Sequence, residues 1–243
     1  MKFIGFIRKF IKEHFFNETW KCNACSKEIF SGEFLCEDCK KELSFLSDVA
    51  ICNHCGRALK NSQEYCTTCK ERLLSTTKGR SVFEYKGTAS VLIKKFKYNG
   101  DKYLKEYFAE KLSAVYFKNY YLSDYITFVP STKKSQKKRG YNQSFLLCEE
   151  LSKRVGVKIF HGVSKVKETN RQAKLSRKQR KENLKGSFKV TDKKLIKDKV
   201  VTIIDDVTTT GVTIETLATA ILKAGAKQVN YITVASVSPV CGY

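Results

Sequence analysis

The sequence predicts an α/β fold: a mostly parallel sheet with helices on both faces, preceded by a small metal-stapled module. Three observations carry that expectation. The apolar, β-branched run Val201-Thr202-Ile203-Ile204 reads as a strand buried on both faces of a parallel sheet, and it leads into Asp205-Asp206, a Thr-rich loop and a helical apolar pattern. From residue 80 onward, short apolar runs alternate with longer segments of helical periodicity. Before that, eight cysteines form an internal repeat, C-x2-C-x10-C-x2-C, that recurs thirty residues later.

The expected organisation is a basic amphipathic segment over 1–19, a cysteine module over 20–75 and the α/β domain over 80–243. Met1 to Phe16 alternates Phe and Ile with Lys and Arg, and Phe3, Ile7, Phe10 and Ile11 can share one helical face. This segment lacks the continuous apolar core and small-residue cleavage site of a signal peptide. It suits docking onto the protein or lying on an anionic membrane. Ser81 to Tyr85 reads as a strand. Thr88 to Tyr98 and Lys102 to Phe117 read as helices separated by the Asn99-Gly100 turn. Ile126 to Pro130 is a candidate strand, followed by a basic loop, a helix from about Asn142 to Val155 and a strand over Val157 to Val163. Val229 to Val237 is expected to close the sheet. Ligands of such sheets gather at the C-terminal strand ends. That places the loops after Pro130 and after Asp206 on one rim.

In the cysteine module the two sets are Cys22, Cys25, Cys36, Cys39 and Cys52, Cys55, Cys66, Cys69. Each resembles a zinc ribbon, in which two knuckles supply four thiolates to a closed tetrahedral Zn2+ site. Four disulfides are the alternative, disfavoured by the regular C-x-x-C pairs and the absence of a secretory signal. One ion per repeat fits the tandem order, and a cross-brace stays open. His54, inside a knuckle, is expected to be a loop residue. Cys148 and Cys241 are expected to be packing or idle thiols. Thiolate ligation implies a reducing compartment, the cytoplasm, and no apolar stretch has the length to span a bilayer.

Strand, hydroxyl-rich loop and helix N-terminus in that order form an anion cradle. The carboxylates before it would repel phosphate but suit sugar hydroxyls, so the inferred ligand is a ribose 5-phosphate moiety. A capped turn after a buried strand is the plainer alternative. Val201 to Thr213 resembles the 5-phosphoribosyl 1-pyrophosphate (PRPP) motif of type I phosphoribosyltransferases, with Thr208 where an aliphatic residue is more usual. A more specific resemblance follows. Val129-Pro130 with Lys138-Arg139-Gly140-Tyr141-Asn142-Gln143 looks like the hallmark of the ComF family, phosphoribosyltransferase-like proteins of bacterial DNA uptake. Thr169-x-Arg171-Gln172-x-x-Leu175-Ser176-x-x-x-Arg180-x-x-Asn183-x-x-Gly186-x-Phe188 and the weaker Lys94-x-Phe96-Lys97-Tyr98-Asn99-Gly100 match the same family in order.

The resemblance implies a type I phosphoribosyltransferase-like sheet and these roles. Asp205 and Asp206 hold the ribose hydroxyls. Val207, Thr208, Thr209, Thr210, Gly211 and Thr213 cradle the 5-phosphate, with Gly211 allowing close backbone approach. Lys138, Arg139 and Gly140 occupy the pyrophosphate position. Arg171 to Arg180 resembles a mobile loop that closes over the site, which makes Arg139 and Arg171 candidate catalytic cations beside Asp205 and Asp206. Mg2+ would be held largely by the ligand's own oxygens and waters.

The formal net charge of +22 points to a polyanionic partner, although Lys far outnumbers Arg and such bias is also genome-wide. Clustering is more informative: Lys133, Lys134, Lys137, Lys138 and Arg139 crowd one segment, and Lys165 to Lys199, with Arg177 and Arg180, forms a second. Tyr141 beside the first cluster is a candidate for stacking on a base. Charge blocks of this kind are often solvated faces, and nonspecific adhesion by any Lys-rich surface is the plainer alternative. On the DNA-handling reading, single-stranded DNA is the expected macromolecular partner, with a DNA-uptake helicase or membrane-channel protein as further candidates. Three functions stay open at this point: a ComF-type accessory handling single-stranded DNA, a transferase of nucleotide salvage, and a PRPP sensor without turnover.

Overall fold

The computed structural model describes residues 20–29, 32–60, 63–71, 75–119, 122–167 and 177–238. The amphipathic segment 1–19, Arg171 with most of the second family block, and Cys241 lie outside them. The chain divides into two compact units, 1–42 and 43–243.

In the first unit, β1 (Trp20–Lys21) pairs antiparallel with β2 (Glu28–Ile29), and α1 (Glu37–Lys41) follows. The turn between the strands carries Cys22 and Cys25, and the N-cap of α1 is Cys36, so both knuckles face one point. Leu35 and Ile29 are its main buried aliphatics. So small a core depends on the metal for its stability.

The second unit opens with the other ribbon, whose α2 (Thr67–Lys70) repeats the Cys-capped helix. A four-stranded, all-parallel sheet follows, in the order β3 (Gly79–Glu84), β8 (Gln228–Ser236), β7 (Val200–Thr208) and β4 (Tyr125–Phe128). Between β3 and β4 come α3 (Gly87–Lys94), a π-helical turn (Lys95–Asn99) and α4 (Leu104–Lys118). After β4 come α5 (Lys133–Arg139) and α6 (Gln143–Val155). A two-stranded arm, β5 (Val163–Lys165) with β6 (Phe188–Val190), encloses α7 (Arg177–Leu184). A short α8 (Lys193–Ile196) leads into β7, and α9 (Val212–Lys223) joins β7 to β8.

Helices α4 and α6 pack on one face of the sheet. On the other face α9 packs against β7 and β8, and Val201, Ile203, Val229 and Tyr231 point into the core it shares with α7 and the arm. Covering both faces explains why β7 and β8 are buried almost end to end.

Four expectations need correction. The strand carrying the acids does not end at them but pairs on to Thr208, opposite Ser236. Gly211, at φ +75°, then turns the chain into α9. The basic segment is not a loop but helix α5, because Thr132 caps it by accepting from Ser135 N at 3.2 Å and Gly140 ends it at φ +78°. Val157 to Val163 contributes only a bridge, Ile126 to Ile159, and its last residue starts the arm instead. Finally, β8 does not close the sheet; it lies inside it, between β3 and β7.

The second ribbon is built into this unit. Cys52, Cys55 and Cys66 belong to the same buried cluster as Ile203, Leu217 and Tyr231. The Cys55 carbonyl accepts from Tyr231 Oη at 3.0 Å, and the His54 carbonyl accepts from Gly79 N at 2.7 Å. Gly56 permits this approach: at φ +68° it tolerates the left-handed region, and a Cβ there would lie 2.5 Å from the Gly79 oxygen.

Candidate functional site

The eight cysteines form two sequential groups, 22/25/36/39 and 52/55/66/69, each with its sulfurs within 4.8 Å of one another. Cys25 and Cys36 Sγ are 3.7 Å apart, as are Cys55 and Cys66 Sγ. A tetrahedron with Zn–S bonds of about 2.3 Å has edges of roughly 3.8 Å, whereas a disulfide bond is about 2.05 Å. Both groups therefore fit Zn2+, one ion per repeat. Cys66 N lies 3.3 Å from Cys52 Sγ, an N–H donor that orients the thiolate. His54 is not a ligand: its Nε2 pairs with Thr76 Oγ1 at 3.3 Å. Cys148 is fully buried, and burial pushes its thiol well above the usual range, which leaves it a packing residue.

The second feature is the C-terminal end of β7. Asp205 Oδ1 accepts from Ser144 Oγ at 2.6 Å and from Asp206 N at 2.9 Å. Asp206 is paired with Lys97, Nζ to Oδ1 at 2.8 Å. Burial of the Asp205 carboxyl, with the Asp206 charge beside it, pushes its pKa up to about 7. Burial works against the Lys97 charge, but Asp206 and then Asp205 more than offset it, and its pKa is raised. At the loop itself, Thr208 is 3 % exposed and its Oγ1 is buried without a hydrogen-bond partner; the facing Ser236 Oγ is in the same condition. Orphaned hydroxyls beneath the N-terminus of a twelve-residue helix are what an anion cradle leaves for its ligand. Ser131 Oγ, just past β4, is also buried and unpartnered.

Lys97 was missed by residue-level reasoning. It sits in the π-helical turn, a distortion frequent at functional sites. Its signal was the Lys94-to-Gly100 block, to which no role had been given. The structure also explains the block around Arg139. Asn142 caps α6, with its Oδ1 accepting from Ser144 N at 3.1 Å and its Nδ2 donating to the Val129 carbonyl at 3.1 Å. Gln143 Oε1 accepts from Arg139 at 3.1 Å, and the Arg139 guanidinium lies 5.1 Å from the centre of the Tyr98 ring. The two family blocks thus clamp each other, and the clamp delivers Lys97 to Asp206 and Ser144 to Asp205.

Tyr141 is held in place: its hydroxyl donates to the Phe96 carbonyl, its ring packs on Phe96, and the Lys102 ammonium lies 5.0 Å from the ring centre. It braces the π-helical turn. In α5, Lys134 and Lys137 are exposed. Helix α7, with Arg177 and Arg180 in its backbone span, packs on α9, on the face opposite α6.

Known proteins show the same two parts. The double zinc ribbon domain model matches residues 15–70, and the phosphoribosyl transferase domain model matches residues 142–238. Competence protein F of Haemophilus influenzae is 29% identical over 216 residues, covering 86% of this chain and 87% of that protein. The chain is similar to competence protein F along most of its length and carries both parts, a double zinc ribbon and a phosphoribosyl transferase domain. The DNA utilization protein YhgH of Escherichia coli K12, 36% identical over 110 residues, matches 45% of this chain, which spans 48% of YhgH's length. Among solved structures, the allosteric regulatory enzyme of purine biosynthesis is 15% identical, with a TM-score of 0.41, over 58% of this chain and 30% of that one. Lys97 and the Lys138 to Tyr141 segment lie outside both domain matches, so the candidate site draws on residues beyond them.

Proposed function

We propose that this competence-related, phosphoribosyltransferase-like protein binds PRPP at the end of β7 and handles single-stranded DNA during DNA uptake, in the cytoplasm. One observation carries the first half: an acidic pair, held by Ser144 and Lys97, stands next to a helix N-terminus over a buried, orphaned Thr208 hydroxyl. Carboxylates suit ribose hydroxyls and the loop suits the 5-phosphate. When bound with PRPP, Mg2+ supplies charge neutralisation on the pyrophosphate, and Asp205 and Asp206 are the nearby hard oxygen donors. Arg139 and Lys97 provide fixed positive charge at the same rim. If transfer occurs, the protein contributes orientation and charge stabilisation for displacement of pyrophosphate at the ribose C1 carbon; it needs no covalent nucleophile. Among the described residues no helix is long and apolar enough to cross a membrane, so contact with a DNA-uptake helicase or channel would be through a surface.

Titrating PRPP with Mg2+ by calorimetry, with and without single-stranded DNA, tests the reading. Saturable PRPP heat is expected, and its absence would remove the phosphoribosyl half. Release of pyrophosphate on addition of a free base would identify a salvage transferase, and PRPP binding indifferent to DNA and without turnover a sensor.

For DNA, affinity is expected to fall with salt at a slope of about −0.7 per phosphate neutralised. Neutralising Lys133, Lys134, Lys137 and Lys138 with Arg171, Arg177 and Arg180 should remove most of the affinity. Neutralising an equal number of lysines in the first hundred residues, Lys97 excepted, should remove little. Equal losses from the two sets would reduce the DNA contact to net charge and end the proposed role.

A further inference from the structure

Arg57 joins the second zinc centre to the phosphate loop. It follows the knuckle Cys52 to Cys55, is 9% exposed, and donates from Nη2 to the Thr209 carbonyl at 2.8 Å, the first loop residue after β7. Its Nε is buried with no hydrogen-bond partner. A buried guanidinium is costly unless a negative charge compensates it. Its backbone carbonyl accepts from Cys52 N at 2.9 Å, and the residue lines one cleft together with Cys55 and Cys69. Four thiolates around Zn2+ carry a net charge of about −2. Four neutral thiols carry none and would strand the cation.

A second route leaves the same knuckle. The His54 ring meets Thr76 Oγ1 at 3.3 Å, and Thr76 donates to Glu215 Oε1 at 2.5 Å in the first turn of α9. Ser75 N donates to the other oxygen of that carboxylate at 2.7 Å. The loop is thereby held on both sides of Gly211, before it through Arg57 and after it through Glu215. That small cleft, open to solvent, is lined by residues of both knuckle and loop, Arg57, Cys69, Thr210 and Gly211 among them.

We infer that Arg57 is a positioning residue for the phosphate loop, its charge anchored by the second zinc–thiolate centre, so that metal at Cys52, Cys55, Cys66 and Cys69 and phosphoribosyl ligand at the loop stabilise each other. This rests on the phosphoribosyl reading of the site for its ligand, but not for its mechanical part. Linkage requires the effect to be reciprocal: what zinc does for the ligand, the ligand does for zinc.

Two measurements test it on the full chain. In the first, amide hydrogen exchange without ligand is compared between wild type and Arg57→Met at two zinc ions per chain. Losing a charge-assisted bond to Thr209 should speed exchange at residues 209–213 by about tenfold, with β3, β7 and β8 unchanged. Unchanged loop exchange, or equal acceleration throughout the unit, would overturn the inference. Should Arg57→Met not fold, Arg57→Lys serves: it keeps the charge but lacks the planar fork, and it should loosen the loop alone. In the second, a colorimetric chelator withdraws zinc with and without PRPP. PRPP should slow release of one of the two ions in wild type and of neither in the variant; protection of both or neither in wild type that binds PRPP sinks the linkage. Wild type that fails to bind PRPP refutes the ligand assignment instead, and the exchange measurement still decides the role of Arg57.

Discussion

Replacing Asp205 and Asp206 together with Asn is expected to weaken PRPP binding at least tenfold in calorimetry, with the fold retained. Each carboxylate presents one more acceptor than an amide. Charge-assisted bonds are worth about 1.5–3 kcal/mol each, so the loss of two passes tenfold comfortably. The two changes act oppositely on stability. The Asp205 carboxyl has its pKa raised to about 7 in the folded protein, against about 3.9 for an unperturbed Asp. Its ionisation therefore costs folding free energy: stability is full below the unfolded value and is lost as pH rises through about 7. Asp205→Asn should accordingly raise the melting temperature at pH 8 and change it little at pH 4, and PRPP affinity in wild type should strengthen as pH rises through 7. Asp206→Asn strands Lys97 and should lower the melting temperature. Unchanged PRPP affinity in the double variant would move the site elsewhere.

The second large effect concerns the two zinc centres, which should behave differently. Fresh, reduced protein is expected to contain two zinc ions per chain. Cys52→Ser with Cys55→Ser should unfold the unit 43–243, because those residues lie in a buried core cluster shared with β7, β8 and α9. Zinc binding supplies about 10–16 kcal/mol in small modules, as much as the whole stability of a typical domain, about 5–15 kcal/mol. Cys22→Ser with Cys25→Ser should release one ion and leave the cooperative melt of the larger unit in place. Less than one zinc per chain, or four disulfides by mass spectrometry, would refute the metal assignment. Equal damage from both pairs would refute the asymmetry.

Local periodicity and ligand spacing made much of this protein legible. The Val201 to Ile204 run, the cysteine repeat and the helical pattern after Gly211 each depend on near neighbours, and each holds in the structure. What escaped depends on contacts distant in sequence. Lys133 to Arg139 has no apolar face to announce a helix; the cap at Thr132 decides it. Nothing local to Tyr141 shows that it also braces Phe96 and lies under Lys102. Lys97 meets Asp206 across more than a hundred residues of chain, through a π-helical turn that no periodicity encodes. Two ribbons with identical spacing gave no hint that one would be absorbed into the domain core.

That last difference turns on one backbone position. After the second cysteine of each opening knuckle the chain enters the left-handed region, as Ser26 at φ 65° in one ribbon and Gly56 at φ 68° in the other. Both residues complete the knuckle, yet only a residue without a side chain clears the Gly79 carbonyl. The repeats are therefore equal as metal chelators and unequal as parts. A graft of the first ribbon into the second position would carry every ligand and still be rejected by a single methylene, whereas the reverse graft meets no such barrier at this position. The same four-cysteine device occurs twice in the chain, and the neighbourhood of residue 56 makes the two copies non-interchangeable.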